Sequence, residues 1–198
     1  MIPRVELEAR AGGWPSPAIV RALARRVRRA ARAMGCTRAQ LDALELRIVD
    51  DPRMRVIKER SFGVAEATDV LSFPAPAPIP GQEDEVGGSL GEIVINRDAV
   101  ARQAARPGPA GWLDEATALA IHGVAHLRGH DHDCRARARR MLANEQQGSR
   151  AVGLPCTRPY GAPPRARRVV PRREAPDDAR MDDARDDASM DDPGDRDE

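Results

Sequence analysis

Between Ser16 and Gly35, Ile19, Leu23 and Val27 recur at every fourth position among arginines, the spacing of one buried helix face. Ser16-Pro17 suits an N-cap followed by the first helical position, and Gly35 offers a stop. The rhythm then changes. Leu44, Leu46 and Ile48 alternate with Glu45 and Arg47, the period of a strand covered on one side. Asp51-Pro52 opens a short helix through about Arg60. Two more apolar, β-branched runs read as strands: "TDVLSFP" at 68 to 74, closed by proline, and "LGEIVIN" at 90 to 96, reached through a Pro/Gly loop. Asn96 can cap the next helix, which Pro107-Gly108-Pro109 breaks. From Leu113 to Leu127 a proline-free apolar stretch with Asp114 and Glu115 in its first turn predicts a long helix. "RARARRMLANEQQ", after Cys134, predicts a final one with Met141 and Leu142 among its buried residues.

Beyond Pro155 the pattern stops. The segment is basic from 158 to 173 and acidic from Asp177 onward, so the formal net charge of +1 averages two opposite regions. Too little there can be buried to offset the entropy of ordering. The expectation is one domain over residues 1–156 and a disordered tail, Pro/Arg-rich then Asp-rich, over 157–198, whose removal leaves the core folded. Aromatics make up only 3% of the chain, so the core must be built mainly from Leu, Val, Ile and Ala. Cys36, Cys134 and Cys156 show no CxxC spacing, no leader-like segment is evident, and no apolar run approaches the roughly 20 residues of a membrane span. A cytoplasmic protein with no membrane role is expected. Arg21, Arg25, Arg28, Arg29 and Arg32 share the outer face of the first helix. They either track an RNA backbone or form a solvated face in an arginine-biased chain, in which Lys58 is the sole lysine.

All four histidines fall between positions 122 and 132, in "HGVAHLRGHDH". On a helix His122 and His126 lie on one face and can present ring nitrogens to a single cation. If the helix continued through Gly129, His130 would extend that stripe. A glycine there instead favours a positive-φ turn that brings His132 back to the same ion. His122, His126 and His132 are therefore the expected ligands of one Zn2+, with His130 beside the site and Asp131 placed to orient a ligating imidazole. Three protein ligands leave a coordination position for water, as in a catalytic site. Zinc proteases of the H-E-x-x-H type use the glutamate as general base, but here the residue after the first histidine is Gly123. Peptide hydrolysis is disfavoured, and phosphodiester hydrolysis by a zinc-activated water becomes attractive.

The three segments "TDVLSFP", "LGEIVIN" and "HGVAHLRGHDH", in that order, resemble the YbeY-type endoribonucleases, the bacterial rRNA maturation factors; Met141 and Glu145 also fit that family's last helix. The resemblance implies an α+β fold, a small mixed β-sheet packed with helices, whose zinc helix carries a metzincin-like H-x3-H-x5-H arrangement. It implies a single-strand-specific endoribonuclease of 16S rRNA 3′-end maturation and ribosome quality control. The partners implied are single-stranded rRNA, the small ribosomal subunit and assembly factors. A non-catalytic assembly factor with a structural metal is the alternative. Two positions depart from the family pattern: His130 stands in an aromatic slot, and Phe62 stands where an arginine is common. Arg60 is the nearest residue that could supply the missing charge to a developing phosphorane.

Overall fold

The computed structural model describes residues 3–7, 14–76 and 89–156. The expected tail, 157–198, and most of the Pro/Gly loop before Leu90 lie outside the described residues. Within them the fold is α+β, with four strands and six helices. In chain order these are β1 (Arg4–Leu7), α1 (Pro17–Ala33), α2 (Arg38–Asp42), β2 (Glu45–Val49), α3 (Asp51–Phe62), β3 (Val70–Pro74), β4 (Gly91–Asn96), α4 (Arg97–Gln103), α5 (Gly108–Leu127) and α6 (Arg135–Ala151). The sheet is mixed, in the order β1-β2-β4-β3. Strands β1, β2 and β4 run parallel, and β3 pairs antiparallel with β4, placing Ser72 opposite Ile93.

Both faces of this sheet are covered. Leu46, Ile48, Ile93 and Ile95 point to a main core shared with Leu23 and Val27 of α1, Leu119, Ile121 and Val124 of α5, and Met141 of α6. On the opposite face Val49 and Val94 pack with Met54 and Ile57 of α3 and with Leu71 and Phe73 of β3. The strict alternation of β2 gives way there, because Val49 is buried and the half-buried Arg47 pairs with Glu92 of the neighbouring strand.

Helix α1 begins at Pro17 after Ser16 and ends through Gly35, which has φ 91°. Asn96 caps α4 by accepting the backbone N–H groups of Asp98 and Ala99. Helix α5 begins five residues before the expected Leu113. Pro107-Gly108-Pro109 therefore opens this helix as well as interrupting the previous one, since a proline in the first turn forfeits only an N–H that has no helical partner. Helix α6 runs on to Ala151, beyond the expected Gln147; Met141 is buried, whereas Leu142 is only half-buried. No helix among the described residues is long and apolar enough to cross a membrane.

Candidate metal centre and cleft

Helix α5 is the most deeply enclosed element around the histidines. Every residue from Leu119 to Ala125 is buried between the sheet on one side and α1 and α6 on the other. Gly123 permits that closeness. A Cβ there would come within 2.9 Å of Ile93 Cγ2 and 3.0 Å of Ser72 Oγ, distances at which those side chains or the elements that carry them must shift. This position on α5 faces β3 and β4, where a glutamate would press on the Ile93 and Ser72 side chains.

The helix ends where the sequence predicts. Gly129 adopts φ 79°, its N–H donates to the His126 carbonyl, and the His130 N–H donates back to the Ala125 carbonyl. That is the paired bonding of a Schellman turn. The Arg128 guanidinium meanwhile donates to the carbonyl of Met34, tying this end of α5 to the end of α1. The reversal returns the chain so that ring nitrogens of His122, His126 and His132 all lie within 4.8 Å of one another. His130 is outside that group and stands beside it.

His122 is fixed most firmly. Its Nδ1 lies 2.8 Å from Oε1 of Glu145 on α6, and the two side chains are only 8% and 2% exposed. With its Nδ1 proton directed to that carboxylate, the ring keeps a lone pair on Nε2. Nε2 is the atom that faces His126 Nε2, at 3.1 Å. Two nitrogens bound about 2.0–2.1 Å from one tetrahedral ion stand about 3.3 Å apart, so the pair already has nearly the required spacing. Burial, aided by the neighbouring His122 and His132, holds the His126 pKa below the ordinary histidine value and favours the neutral form a ligand needs. The donor set therefore fits a small divalent cation.

Asp131 does something other than expected. Its carboxylate accepts the backbone N–H of His132 at 2.7 Å, and this bond is the chief reason its pKa lies below the usual carboxylate range. It thus fixes the His132 backbone, while the imidazole acceptor seen here is Glu145 on His122. Glu145 was visible in the sequence only through its fit to the family pattern, since its pairing spans 23 positions and depends on how α6 packs on α5.

The histidines open onto a cleft of about 540 Å3. One wall is Phe62 from the end of α3 with Val70, Leu71, Ser72 and Pro74 of β3. The other is His122, His126, Gly129, His130, Asp131 and Arg137. Arg60 is exposed on α3 and is not among these lining residues; the guanidinium at the cleft is that of Arg137, which also pairs with Asp133 at 3.0 Å. Burial, with Arg128 and Arg140 nearby, pushes the His130 pKa down. On α1, Arg21, Arg25, Arg29 and Arg32 are exposed, and Arg28 is drawn into an ion pair with Asp42.

A family model described as Endoribonuclease YbeY matches residues 16–153. Curated proteins of that description are similar to this chain. One from Anaeromyxobacter sp. (strain Fw109-5) is 40% identical over 135 residues, covering 68% of this chain and 67% of that protein. One from Chelativorans sp. (strain BNC1) is 35% identical over 150 residues, covering 73% of this chain and 87% of that protein. A third, from Halorhodospira halophila, is 38% identical over 112 residues, covering 57% and 71% respectively.

Proposed function

The chain belongs to the YbeY endoribonuclease family, and from that premise we propose that it cuts single-stranded RNA at a zinc site formed by His122, His126 and His132. The observation that carries this reading is the convergence of three imidazoles, one held in its ligating tautomer by Glu145, at the edge of an open cleft. A bound Zn2+ would supply Lewis acidity, polarising a phosphoryl oxygen and lowering the pKa of a water.

The protein's own groups do the rest. Glu145 orients His122, and Asp131 pins the backbone of His132. The apolar wall of β3 and the buried α5 hold the histidine pair rigid, which lowers the cost of assembling the site. Because Gly123 cannot accept a proton, the glutamate route of the zinc proteases is closed, and among the described residues Asp131 and His130 are the proton-accepting side chains that line the cleft besides the expected ligands. Arg137 brings positive charge where a phosphodiester would enter. The biological setting we infer is the cytoplasm, with the 3′ end of 16S rRNA on the small ribosomal subunit as substrate and ribosome quality control as the wider role.

Zinc-loaded protein should cleave a labelled single-stranded oligoribonucleotide faster than the same sequence in a duplex, and should shorten 3′-extended 16S rRNA in small subunits. His126→Ala should lose both activities. Equal cleavage by the parent and His126→Ala would assign the activity to a contaminant. A zinc-loaded parent that binds RNA without cutting it would favour the non-catalytic assembly factor.

A further inference from the structure

Phe62 is 57% exposed, the most exposed of the large hydrophobic side chains among the described residues. A single exposed apolar ring is ordinary on a protein surface; this one matters because of where it sits, at the mouth of the cleft beside the histidines. Its ring is offset-stacked on Phe73, with centroids 6.1 Å apart and planes 26° from parallel. Phe73 in turn packs with Val49, Met54 and Val94 on the α3 side of the sheet. The outer ring is therefore supported from behind by a partner anchored in the fold, and over half of its surface is left to solvent. It lines the same cleft as His122 and His126.

Arg137 lines that cleft too, from the first turn of α6. It is 55% exposed and pairs with Asp133, four residues before it. An exposed pair of this kind contributes little and yields readily to a better anion. Aromatic face and guanidinium together match the two invariant features of a nucleotide, a base with a π-face and a phosphate, without reading any base edge.

The geometry points to Phe62 as a stacking platform for one base of single-stranded RNA, extending the Phe73–Phe62 stack, with Arg137 neutralising a phosphate of the same strand. This deepens the endoribonuclease reading and rests on it. It also gives a position without charge a role: Phe62 selects unpaired bases, because a base inside a duplex is already stacked on its neighbours and has no free face to offer.

The test uses the full chain, fluorescence anisotropy without added metal, and two labelled oligoribonucleotides of equal length, one normal and one with abasic sites throughout its centre. Phe62→Ala should weaken binding of the normal oligonucleotide by about 5- to 150-fold and leave the abasic one unchanged. Phe62→Trp should restore normal binding. Arg137→Ala should weaken both alike and reduce the slope of log affinity against log salt by about 1. If Phe62→Ala binds both oligonucleotides as the parent does while the zinc-loaded parent cleaves single-stranded RNA, the stacking platform is refuted and the enzyme assignment stands. A parent that neither binds nor cleaves single-stranded RNA overturns both.

Discussion

Replacing Glu145 tests how the metal centre is held together. Its carboxylate accepts the Nδ1 proton of His122 at 2.8 Å, and at 2% side-chain exposure water does not reach it freely. Glu145→Ala takes away that acceptor, leaves a buried imidazole N–H to be solvated by rearrangement, and frees the ring to rotate or change tautomer. Partners of this kind are worth about 10- to 100-fold in metal affinity, which is about 1.4–2.7 kcal/mol of binding free energy. The orphaned donor should cost the metal-free fold about 1–3 kcal/mol more. Glu145→Gln retains an acceptor oxygen without the charge and should fall between the alanine variant and the parent. The assay is zinc competition against a chromogenic chelator, with thermal melts of the metal-free proteins to separate affinity from folding. If Glu145→Ala binds zinc as tightly as the parent and melts at the same temperature, the carboxylate neither orients His122 nor stabilises the α5–α6 packing, and the reasoning fails.

Two other perturbations probe the scaffold. Gly123→Ala sets a Cβ against Ile93 and Ser72; an overpacking cost of about 1–3 kcal/mol against a helix-propensity gain of about 1 kcal/mol leaves a net loss of up to about 2 kcal/mol, and a variant more stable than the parent in urea would show that α5 has room to lift. The Arg102 guanidinium hydrogen-bonded to Asp51 holds that carboxyl below the usual range, with Asn96 contributing a further bond. A depressed folded-state pKa means stability that is present above the unfolded value of about 3.9 and lost as pH falls through the folded one. Asp51→Asn should therefore be less stable than the parent at neutral pH, with the gap closing in acid; a gap of constant size from pH 7 to below the folded pKa would contradict this.

What the sequence revealed and what it hid divide along physical lines. The convergence of three histidines is legible because α-helical geometry and a glycine turn act over a few residues: His122 and His126 share a face, and Gly129 reverses the chain as its lack of a Cβ allows. The strands from Leu44 and Leu90 were legible for the same local reason. The start of α5 was misplaced because a proline-containing triplet can end one helix and begin another with equal ease. Strand β1 is four residues long, too short for a period to be read. Glu145, Phe62 and Arg137 acquire their roles only when α6, α3 and α5 meet around β3, and no spacing along the chain encodes that meeting. Asp131 shows the opposite hazard, since adjacency to a histidine suggested a partner for its imidazole, and the carboxylate instead took the nearest backbone N–H.

In the proposed site, His122, His126 and His132 would hold the metal without His130. Metal content per chain, measured after dialysis for the parent, His130→Ala and His132→Ala, decides it most directly. About one zinc ion per chain is expected in the parent and in His130→Ala, and a substantial loss in His132→Ala. Full retention by His132→Ala together with loss in His130→Ala would contradict it.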